Sequence, residues 1–544
     1  MVSAQDRIAA QIGADILERG GNAVDAAVAT GFALAVSHPQ AGNLGGGGFM
    51  LISPAGSGDV TALDFREMAP AAASRDMYLG ADGNVDNQKA QYSHLSAGVP
   101  GTVMGLLEAL ETYGTMTRRQ VMGPAIQLAI NGFPVSYGLA NSLEENRKSL
   151  SVDPSSVKYF LNGGRGFQPG ERMRQPDLAA TLRRIMHQGK KGFYYGKTAD
   201  LIVAEIQRGN GIITRDDLAN YRTVTRNAVS GRYKGYEVHS MPPPSSGGIH
   251  ILQMLNILEG YDLQADGHNS AAYLHKLIEA MRRAFADRSK YLGDPDFFDV
   301  PQDALIDPDY ADRLRATISL EKATKSSDVR PGTVLKPEGP STTHYSVVDK
   351  DGNSVAVTYT LNFSYGSRLS VDGAGFLLNN EMDDFSAKPG AANGYGLIGG
   401  EANKIEPLKR PLSSMSPLIV KKNGVPVLAT GSPGGSTIIT SVLQMVLNVI
   451  EWDMNLAQAT NMPRIHHQWL PEIVLAEPGI SPDTLAILEE MGHAFPKNAN
   501  GDFTRTILGR VNSVGKAVGT AAGSPFFFGA ADPRSPKSAA IAVP

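Results

Sequence analysis

The segment 342–362 reads TTHYSVVDKDGNSVAVTYTLN and predicts two neighbouring β-strands. Apolar and polar residues alternate in both halves, which are rich in β-branched and aromatic side chains, as in strands packed on a core. Between the two halves lies KDGN, 350–353, in which Asp351-Gly352 is a strong signal for a tight turn. The pattern therefore predicts an antiparallel hairpin that opens at Thr342.

The residues before this hairpin, 325–341, read KSSDVRPGTVLKPEGPS. They contain many Pro, Gly and Ser residues and few apolar ones, which is typical of an exposed linker. Helical patterns dominate before the linker, for example in 251–260 and 271–288, and strand patterns dominate after it. We therefore expect a helix-rich part, 1–341, and a strand-rich part, 342–544.

Three further segments of the first part have a distinct local character. The apolar run 23–36 carries Asp25 and Thr30 and is shorter than the roughly 18–20 residues that a bilayer requires, so we predict a buried helix and no membrane span. The glycine-rich run GNLGGGGFMLI, 42–52, lacks the G-K-[S/T] of a phosphate-binding loop, so we predict close backbone packing. The three prolines of MPPPSSGGIH, 241–250, argue against a helix there.

Composition narrows the classes of function. Of the 544 residues, 42% are hydrophobic and 19% are charged, as in an ordinary globular protein. The 50 Lys and Arg residues do not exceed the 54 Asp and Glu residues, so nucleic-acid binding is not expected. The absence of cysteine excludes thiolate nucleophiles, disulfides and Cys-ligated zinc. Met1 is followed by VSAQDR, which is no signal peptide, so an exported protein would have lost its targeting segment.

Common catalytic motifs are missing or incomplete. The sequence has neither G-x-S-x-G nor H-E-x-x-H. Residues 319–322 fit S-x-x-K, but the motifs that accompany it in penicillin-recognising enzymes are missing. The pair His466-His467 has no third ligand at a useful spacing, so we interpret it as an ordinary surface or interface pair.

Thr342 remains as a candidate nucleophile. If the chain were cut between Ser341 and Thr342, the new α-amine, with an ordinary pKa of about 8, could accept a proton from the hydroxyl of the same residue. The alternative interpretation is a Thr-Thr pair that merely opens a strand.

A set of segments decides between these interpretations, because they resemble the γ-glutamyltranspeptidases (glutathione hydrolases), most closely the bacterial type. They run in the family's order along nearly the whole chain and include NAVDAAVATGFALAVSHPQAGNLGGGGFMLI, LDFREMAP, MPPPSSGGIH, TTHYSVVDKDGN, LLNNEMDDFSAKPG, RPLSSMSP and GSPGGS. The resemblance implies an α+β fold, a four-layer αββα N-terminal-nucleophile hydrolase sandwich. It also implies self-cleavage into a large subunit, 1–341, and a small subunit, 342–544, which form the sandwich jointly.

The resemblance also implies a role for each site residue. Thr342 would be the nucleophile, Thr360 would orient it, and the backbone N–H groups of Gly434 and Gly435 would bind the oxyanion. The side chains that would bind the donor's α-carboxylate are Arg66, Ser413 and Ser414. Those that would bind its α-ammonium are Asn362, Asp384 and Glu381, the last of which stands where bacterial relatives more often have glutamine. The segment PGAANGYGLIGG, 389–400, with Tyr395, resembles the family's lid loop.

The function implied is that of a γ-glutamyltransferase and glutathione hydrolase, periplasmic or secreted, without metal or organic cofactor. Its donors would be glutathione and other γ-glutamyl compounds, and its acceptors would be water, amino acids or dipeptides. Two rivals are a cephalosporin (glutaryl) acylase-like member of the family and an unprocessed binding protein without activity. We interpret His344 as structural, not as a base, and leave open whether Phe363 and Tyr365 face an acceptor or the core.

Overall fold

The computed structural model of the protein describes residues 1–329, 342–516 and 526–543. The strands of these residues are β1 (Val2–Ala4), β2 (Gly47–Ser53), β3 (Thr61–Phe65), β4 (Phe133–Pro134), β5 (Arg172–Met173), β6 (Val224–Asn227), β7 (Val229–Tyr233), β8 (Tyr236–Ser240), β9 (Thr343–Val348), β10 (Ser354–Thr360), β11 (Leu418–Lys422), β12 (Val425–Thr430), β13 (Ile465–His466), β14 (Leu475–Ala476), β15 (Asn512–Lys516), β16 (Phe527–Ala531) and β17 (Ala539–Ile541).

The α-helices of the same residues are α1 (Arg7–Glu18), α2 (Ala23–Ser37), α3 (Asn87–Tyr92), α4 (Thr102–Tyr113), α5 (Arg118–Asn131), α6 (Tyr137–Glu145), α7 (Arg147–Leu150), α8 (Pro154–Phe160), α9 (Pro176–Gln188), α10 (Lys191–Tyr194), α11 (Gly196–Arg208), α12 (Arg215–Asn220), α13 (Gly247–Glu259), α14 (Leu263–Asp266), α15 (Ala271–Tyr291), α16 (Gln302–Leu305), α17 (Pro308–Arg315), α18 (Thr437–Ile450), α19 (Leu456–Asn461) and α20 (Pro482–Glu490). Short 3₁₀ helices span His94–Ser96, Asn162–Gly164, Glu381–Asp384 and Glu401–Asn403.

The predicted hairpin lies at the centre of the first sheet. Within the described residues the strand order of this sheet is β17-β1-β9-β10-β2-β3-β6. Strands β9 and β10 pair antiparallel, with Thr343 opposite Tyr359 and Val348 opposite Ser354, which confirms the hairpin. On its other side β10 pairs with β2, so that Thr360 lies opposite Gly47 at the end of the glycine-rich loop.

A second sheet packs on the first. Its order within the described residues is β16-β15-β12-β11-β8-β7. Along β2, Met50 and Ile52 belong to the apolar cluster that includes α1, α2 and α4, whereas Phe49 and Leu51 belong to the cluster that includes the second sheet with α13, α15 and α18. Because neighbouring side chains of a strand point to opposite faces, the layers run helices, sheet, sheet, helices. The αββα expectation is confirmed.

Both sheets take strands from both sides of residue 341. The first sheet combines β1, β2, β3 and β6 with β9, β10 and β17, and the second combines β7 and β8 with β11, β12, β15 and β16. The sandwich is therefore formed jointly by 1–341 and 342–544. The strands β6, β7 and β8 were not predicted, because the first part was interpreted as mostly helical.

Other expectations about local structure have mixed outcomes. Every residue of α2 is buried, as predicted. None of the described helices has the length and apolar character that crossing a bilayer requires. The prolines at 242–244 lie in a loop, but α13 begins already at Gly247, inside the segment that was not expected to be helical.

At the start of the predicted linker, Lys325, Ser327 and Asp328 are exposed, but Ser326 between them is not. Ser326 is only 1% exposed, its hydroxyl donates to the carbonyl of Trp469 over 2.6 Å, and the Trp469 indole donates to the carbonyl of Ser326 over 2.9 Å. The prediction of an exposed linker is therefore wrong at this residue, because a tryptophan of the second part packs on it. Residues 330–341 lie outside the described residues.

Candidate active site

The hairpin brings two threonines together. Thr342 directly precedes β9 and Thr360 ends β10, so their hydroxyl oxygens lie 3.3 Å apart in a buried position. The backbone N–H of Asn362 donates to Thr360 Oγ1 over 2.9 Å. A hydroxyl that accepts such a bond can still donate its own proton, so Thr360 is placed to orient the Thr342 hydroxyl.

The glycine-rich loop passes directly beside this pair. A Cβ atom at Gly46 would lie 1.9 Å from the carbonyl oxygen of Thr360, and one at Gly45 would lie 2.2 Å from the carbonyl of Leu377. Only glycine permits so close an approach of two backbones. The prediction of close backbone packing is confirmed.

Most of the predicted site residues line one small cavity. The space in it that a water-sized sphere can occupy is about 20 Å³, enough for about one water molecule. The residues that line it are Arg66, Thr342, Thr360, Asn362, Glu381, Asp384, Tyr395, Ser413, Ser414, Met415, Gly435 and Ile438. Of the residues singled out from the sequence, only Gly434 is not part of this lining, and it directly precedes Gly435.

Arg66 lies at the cavity wall, one residue beyond β3, and is completely buried. Its guanidinium forms ion pairs with Glu381 and, over 2.5 Å, with Asp384, both on one 3₁₀ helix. Burial opposes the charge on Arg66, but these two carboxyl groups outweigh it and raise the pKa of the guanidinium.

The acidic side of this cluster carries more charge than the guanidinium balances. Burial raises the pKa values of Glu381, Asp384 and Glu67, the last to about 7. Glu67 Oε2 lies 3.6 Å from Arg66 Nη1, and the nearby Asp384 adds to the effect of burial on the Glu67 carboxyl. Near neutral pH the Glu67 carboxyl is therefore partly protonated.

The two serine hydroxyls each accept a hydrogen bond from the protein. Ser413 Oγ accepts from the backbone N–H of Met415 over 3.1 Å, and Ser414 Oγ accepts from Arg288 Nη2 over 3.3 Å. With an acceptor site of each oxygen occupied, each hydroxyl proton can point into the cavity. The arrangement suits an anion such as a carboxylate.

Gly434 and Gly435 form the turn that precedes α18, and their φ angles are 142° and 55°. Both angles lie in the region that favours glycine. Within the described residues, neither backbone N–H donates to another group of the protein. Since Gly435 lines the cavity beside Thr342, the turn offers backbone donors at the start of a helix, where negative charge is stabilised.

The predicted lid loop is closed over the cavity. The Tyr395 hydroxyl donates to the carbonyl of Asn362 over 2.6 Å, and its ring packs edge-on against Phe363 at 5.3 Å. The backbone N–H of Gly394 donates to Asp383 over 2.9 Å. Hydrogen bonds therefore connect the loop to the segments that hold the threonine pair and the acidic side chains.

Burial decides the predictions made for the histidines. His344 bonds Thr358 and Ser346, each over 2.8 Å, and burial lowers its pKa to about 3, in line with a structural role. The pair His466-His467 was expected at a surface or interface, which is wrong, because both side chains are buried.

Phe363 packs against Tyr395 and Tyr92, and Tyr365 is fully buried with its hydroxyl 3.0 Å from Ser142. Both are core residues in this closed structure.

Sequence reasoning missed Glu67, Arg288, Met415 and Ile438. Glu67 follows Arg66 in LDFREMAP, so its adjacency to a site arginine was a signal. Arg288 lies in the run AMRRAFADRS, 280–289, which is buried throughout in α15, but the charged residues of this run gave no sign of burial in the sequence. Met415 and Ile438 carry no chemical signal in the sequence.

The fold and the site define a class of protein. A two-sheet sandwich with helices on both outer faces, and a threonine at the start of a central strand, is the architecture of an N-terminal-nucleophile hydrolase. The profile of the family described as gamma-glutamyltranspeptidase matches residues 9–542, and the chain belongs to this family.

Comparison with individual proteins supports this assignment to the family. The chain is 52% identical over 537 residues to the glutathione hydrolase proenzyme of Escherichia coli (strain K12), covering 98% of this chain and 90% of that protein. The crystal structure of cephalosporin acylase from Bacillus halodurans is similar with a TM-score of 0.85 at 28% identity, covering 98% of this chain and 94% of that one. The gamma-glutamyltranspeptidase of Helicobacter pylori is similar with a TM-score of 0.59 at 48% identity, covering 60% of this chain and 93% of that one.

Proposed function

We propose that this enzyme transfers the γ-glutamyl group of glutathione and related amides to water or to the amine of an amino acid or dipeptide. The observation that carries the proposal is the content of one buried cavity, where a threonine pair lies beside a guanidinium, two serine hydroxyls and two carboxyl groups. A γ-glutamyl donor presents an amide carbonyl, an α-carboxylate and an α-ammonium. The cavity has groups suited to all three.

The proposed enzyme matures by cleavage between Ser341 and Thr342. The products, 1–341 and 342–544, stay together as a heterodimer because both sheets contain strands from each. Cleavage gives Thr342 an α-amine, which takes the proton of its own hydroxyl, while Thr360 orients the oxygen.

The acyl transfer uses only groups of the chain. Thr342 Oγ1 bonds to the γ-carbonyl carbon, and the N–H groups of Gly434 and Gly435 receive the oxyanion, a donor pair of which each member typically contributes about 10²–10³ in rate. The C–N bond then breaks, and the departing amine takes the proton held by the α-amine. The γ-glutamyl ester on Thr342 is attacked by water or by an acceptor amine, and the threonine hydroxyl is restored.

Donor recognition follows the charges of the cavity. The α-carboxylate pairs with Arg66, whose planar guanidinium suits a carboxylate, and with Ser413 and Ser414. The α-ammonium pairs with Asp384 and Glu381, assisted by Asn362. A zwitterion adds one charge of each sign, so it can insert between Arg66 and its acidic partners without leaving a buried charge unpaired.

The lid sets the size of the donor. With Tyr395 over the cavity, the space is too small for a glutamyl group, so entry requires the loop 389–400 to open. Closure then surrounds a small γ-glutamyl group, which favours donors such as glutathione over bulky acyl groups.

A second candidate is glutaryl amide hydrolysis, which the structural similarity to a cephalosporin acylase favours. A glutaryl group has the carboxylate but lacks the ammonium. It would bring a further negative charge to a cluster that already includes Asp384, Glu381 and Glu67. The γ-glutamyl amide is therefore the better match.

Two measurements test the proposed function. Kinetics with γ-glutamyl-p-nitroanilide and glutaryl-p-nitroanilide should show a clear preference for the former; equal or better turnover of the glutaryl amide would favour the acylase. The variant Thr342→Ala should remain a single 57.8 kDa band on a denaturing gel and be inactive. A processed and active alanine variant would refute the nucleophile assignment.

Location is part of the same proposal. Membership in a family with bacterial proenzymes supports a periplasmic or secreted enzyme, and fractionation of the cells in which the protein is native tests this.

A further inference from the structure

A second arginine lies behind the serine pair. Arg288, near the end of α15, is 5% exposed and does not belong to the cavity lining. Its Nε donates to Ser246 Oγ over 2.9 Å and its Nη2 donates to Ser414 Oγ over 3.3 Å. The Ser246 hydroxyl in turn donates to the carbonyl of Ser413 over 2.8 Å. The guanidinium is thus bonded directly to one serine of the pair and through Ser246 to the other.

The charge of Arg288 is not neutralised by contact. Among the described residues it forms no ion pair with a carboxylate, in contrast to Arg66, which forms ion pairs with Glu381 and Asp384. Burial lowers the pKa of Arg288 to about 10, and the more distant Asp384 opposes that effect, so the group remains charged near neutral pH. Within the described residues, Arg288 is therefore a buried cation at this end of the cavity without a directly bonded counter-ion.

The bond to Ser414 also sets the direction of a proton. A serine hydroxyl has one donor and two acceptor sites. Because Arg288 occupies an acceptor site from behind, the Ser414 proton is directed elsewhere, and the open side of this residue is the cavity. A charged donor also polarises the hydroxyl and strengthens the bond that it donates.

We propose that Arg288 is a positioning residue for the donor's α-carboxylate, which orients the Ser414 hydroxyl and supplies the positive charge that balances this carboxylate. The inference rests on the proposed function, since it concerns the same donor site. It adds that selection of the carboxylate depends on a residue that does not touch the substrate. Arg66 provides the direct contact, and Arg288 makes the serine side of the site electropositive.

The test compares two donors that differ only in this carboxylate. γ-Glutamyl-p-nitroanilide has it, and 4-aminobutyryl-p-nitroanilide lacks it but keeps the amine and the amide. In Arg288→Gln we expect KM for the γ-glutamyl donor to rise roughly 10- to 100-fold, as for loss of a charged hydrogen-bond donor, with kcat changed far less. The kinetics with the aminobutyryl donor should change less than about threefold.

Controls separate positioning from folding. Arg283→Gln removes another buried guanidinium of α15, one that pairs with Glu279 outside the cavity, and should lower the melting temperature without changing the ratio of the two donors. Ser414→Ala should raise KM for the γ-glutamyl donor by a smaller factor in the Arg288→Gln background than in the wild type, because the two residues act together. If Arg288→Gln does not mature, Arg288→Lys serves instead, since lysine keeps the charge but cannot reach both hydroxyls, and it too should raise KM for the γ-glutamyl donor alone.

Three outcomes would overturn the inference. Arg288→Gln could raise KM equally for both donors, or change it for neither. The effects of Arg288→Gln and Ser414→Ala on KM could also be strictly additive in the double variant. Failure of the wild-type enzyme to cleave γ-glutamyl-p-nitroanilide would instead contradict the proposed function, so the two failures are distinguishable.

Discussion

The guanidinium Nη2 of Arg66 lies 2.5 Å from Asp384 Oδ2, and both side chains are almost completely buried. Arg66 belongs to 1–341 and Asp384 to 342–544. The ion pair therefore connects the two parts of the chain at the proposed donor site, where a donor zwitterion would enter between its two members. Removing either charge should affect both recognition and the joint between the parts.

The variant Asp384→Asn tests the ammonium side of the site. The amide cannot balance an ammonium, and loss of a charge-assisted bond costs about 1.5–3 kcal/mol, so kcat/KM for γ-glutamyl-p-nitroanilide should fall roughly 10- to 150-fold, mostly through KM. Turnover of glutaryl-p-nitroanilide, which has no ammonium, should be retained or improved. Steady-state kinetics with both amides measure this.

Glu401→Gln is the matched control for Asp384→Asn. Glu401 also pairs with an arginine, Arg75, but its side chain is 63% exposed, and such surface pairs contribute about 0–1 kcal/mol. Its kinetics should equal those of the wild type. If kcat/KM fell equally for both amides in Asp384→Asn, the change would damage the fold and would not act on ammonium recognition.

The buried carboxyl of Glu67 predicts a pH dependence of stability. Burial raises the pKa of Glu67 to about 7, and Arg66, Asp384 and Glu381 are the charged groups that act on it. Between the ordinary carboxyl pKa and about pH 7, the folded protein binds the proton and the unfolded chain does not. The free energy of unfolding therefore falls as pH rises through this window. Glu67→Gln, which cannot ionise, should make that fall smaller.

Thermal unfolding at pH 5 and pH 8 checks this prediction. The difference in melting temperature between Glu67→Gln and the wild type, taken as variant minus wild type, should be more positive at pH 8 than at pH 5. Glu490→Gln, at an exposed position, should show no such difference. A constant offset between Glu67→Gln and the wild type at both pH values would show that Glu67 does not hold a proton in the folded protein.

The sequence could predict those parts of the site whose contacts join residues close together in the chain. The hairpin of β9 and β10 is specified by local alternation and an Asp-Gly turn, so sequence pattern was sufficient. The roles of Arg66 and Asp384 came from resemblance to a family. That Arg66 pairs with the acidic side chains of the same site became visible only in the structure. Arg288 was missed because its partner Ser414 lies 126 positions away, and no local pattern encodes that contact.

The hydroxyl of Tyr395 provides a test of the lid. Its bond to the Asn362 carbonyl joins the lid to the strand end that carries Thr360, and a neutral hydrogen bond contributes about 0.5–1.5 kcal/mol. Tyr395→Phe keeps the ring but loses this bond, so the closed state should be weakened. We expect KM for γ-glutamyl-p-nitroanilide to rise roughly 2- to 10-fold and the amides of 389–400 to exchange hydrogen faster.

Tyr195→Phe is the matched control for the lid, because the Tyr195 hydroxyl also donates to a backbone carbonyl, that of Ala219 over 3.2 Å, at an exposed position. It should leave both the kinetics and the exchange of 389–400 unchanged. If Tyr395→Phe raised KM without faster exchange, the hydroxyl would act on the donor and not on the lid. If exchange rose while KM stayed constant, closure of the loop would not contribute to donor binding, and the limit that Tyr395 places on acyl-group size would be wrong. Faster exchange together with a raised KM is the result that the closed geometry predicts.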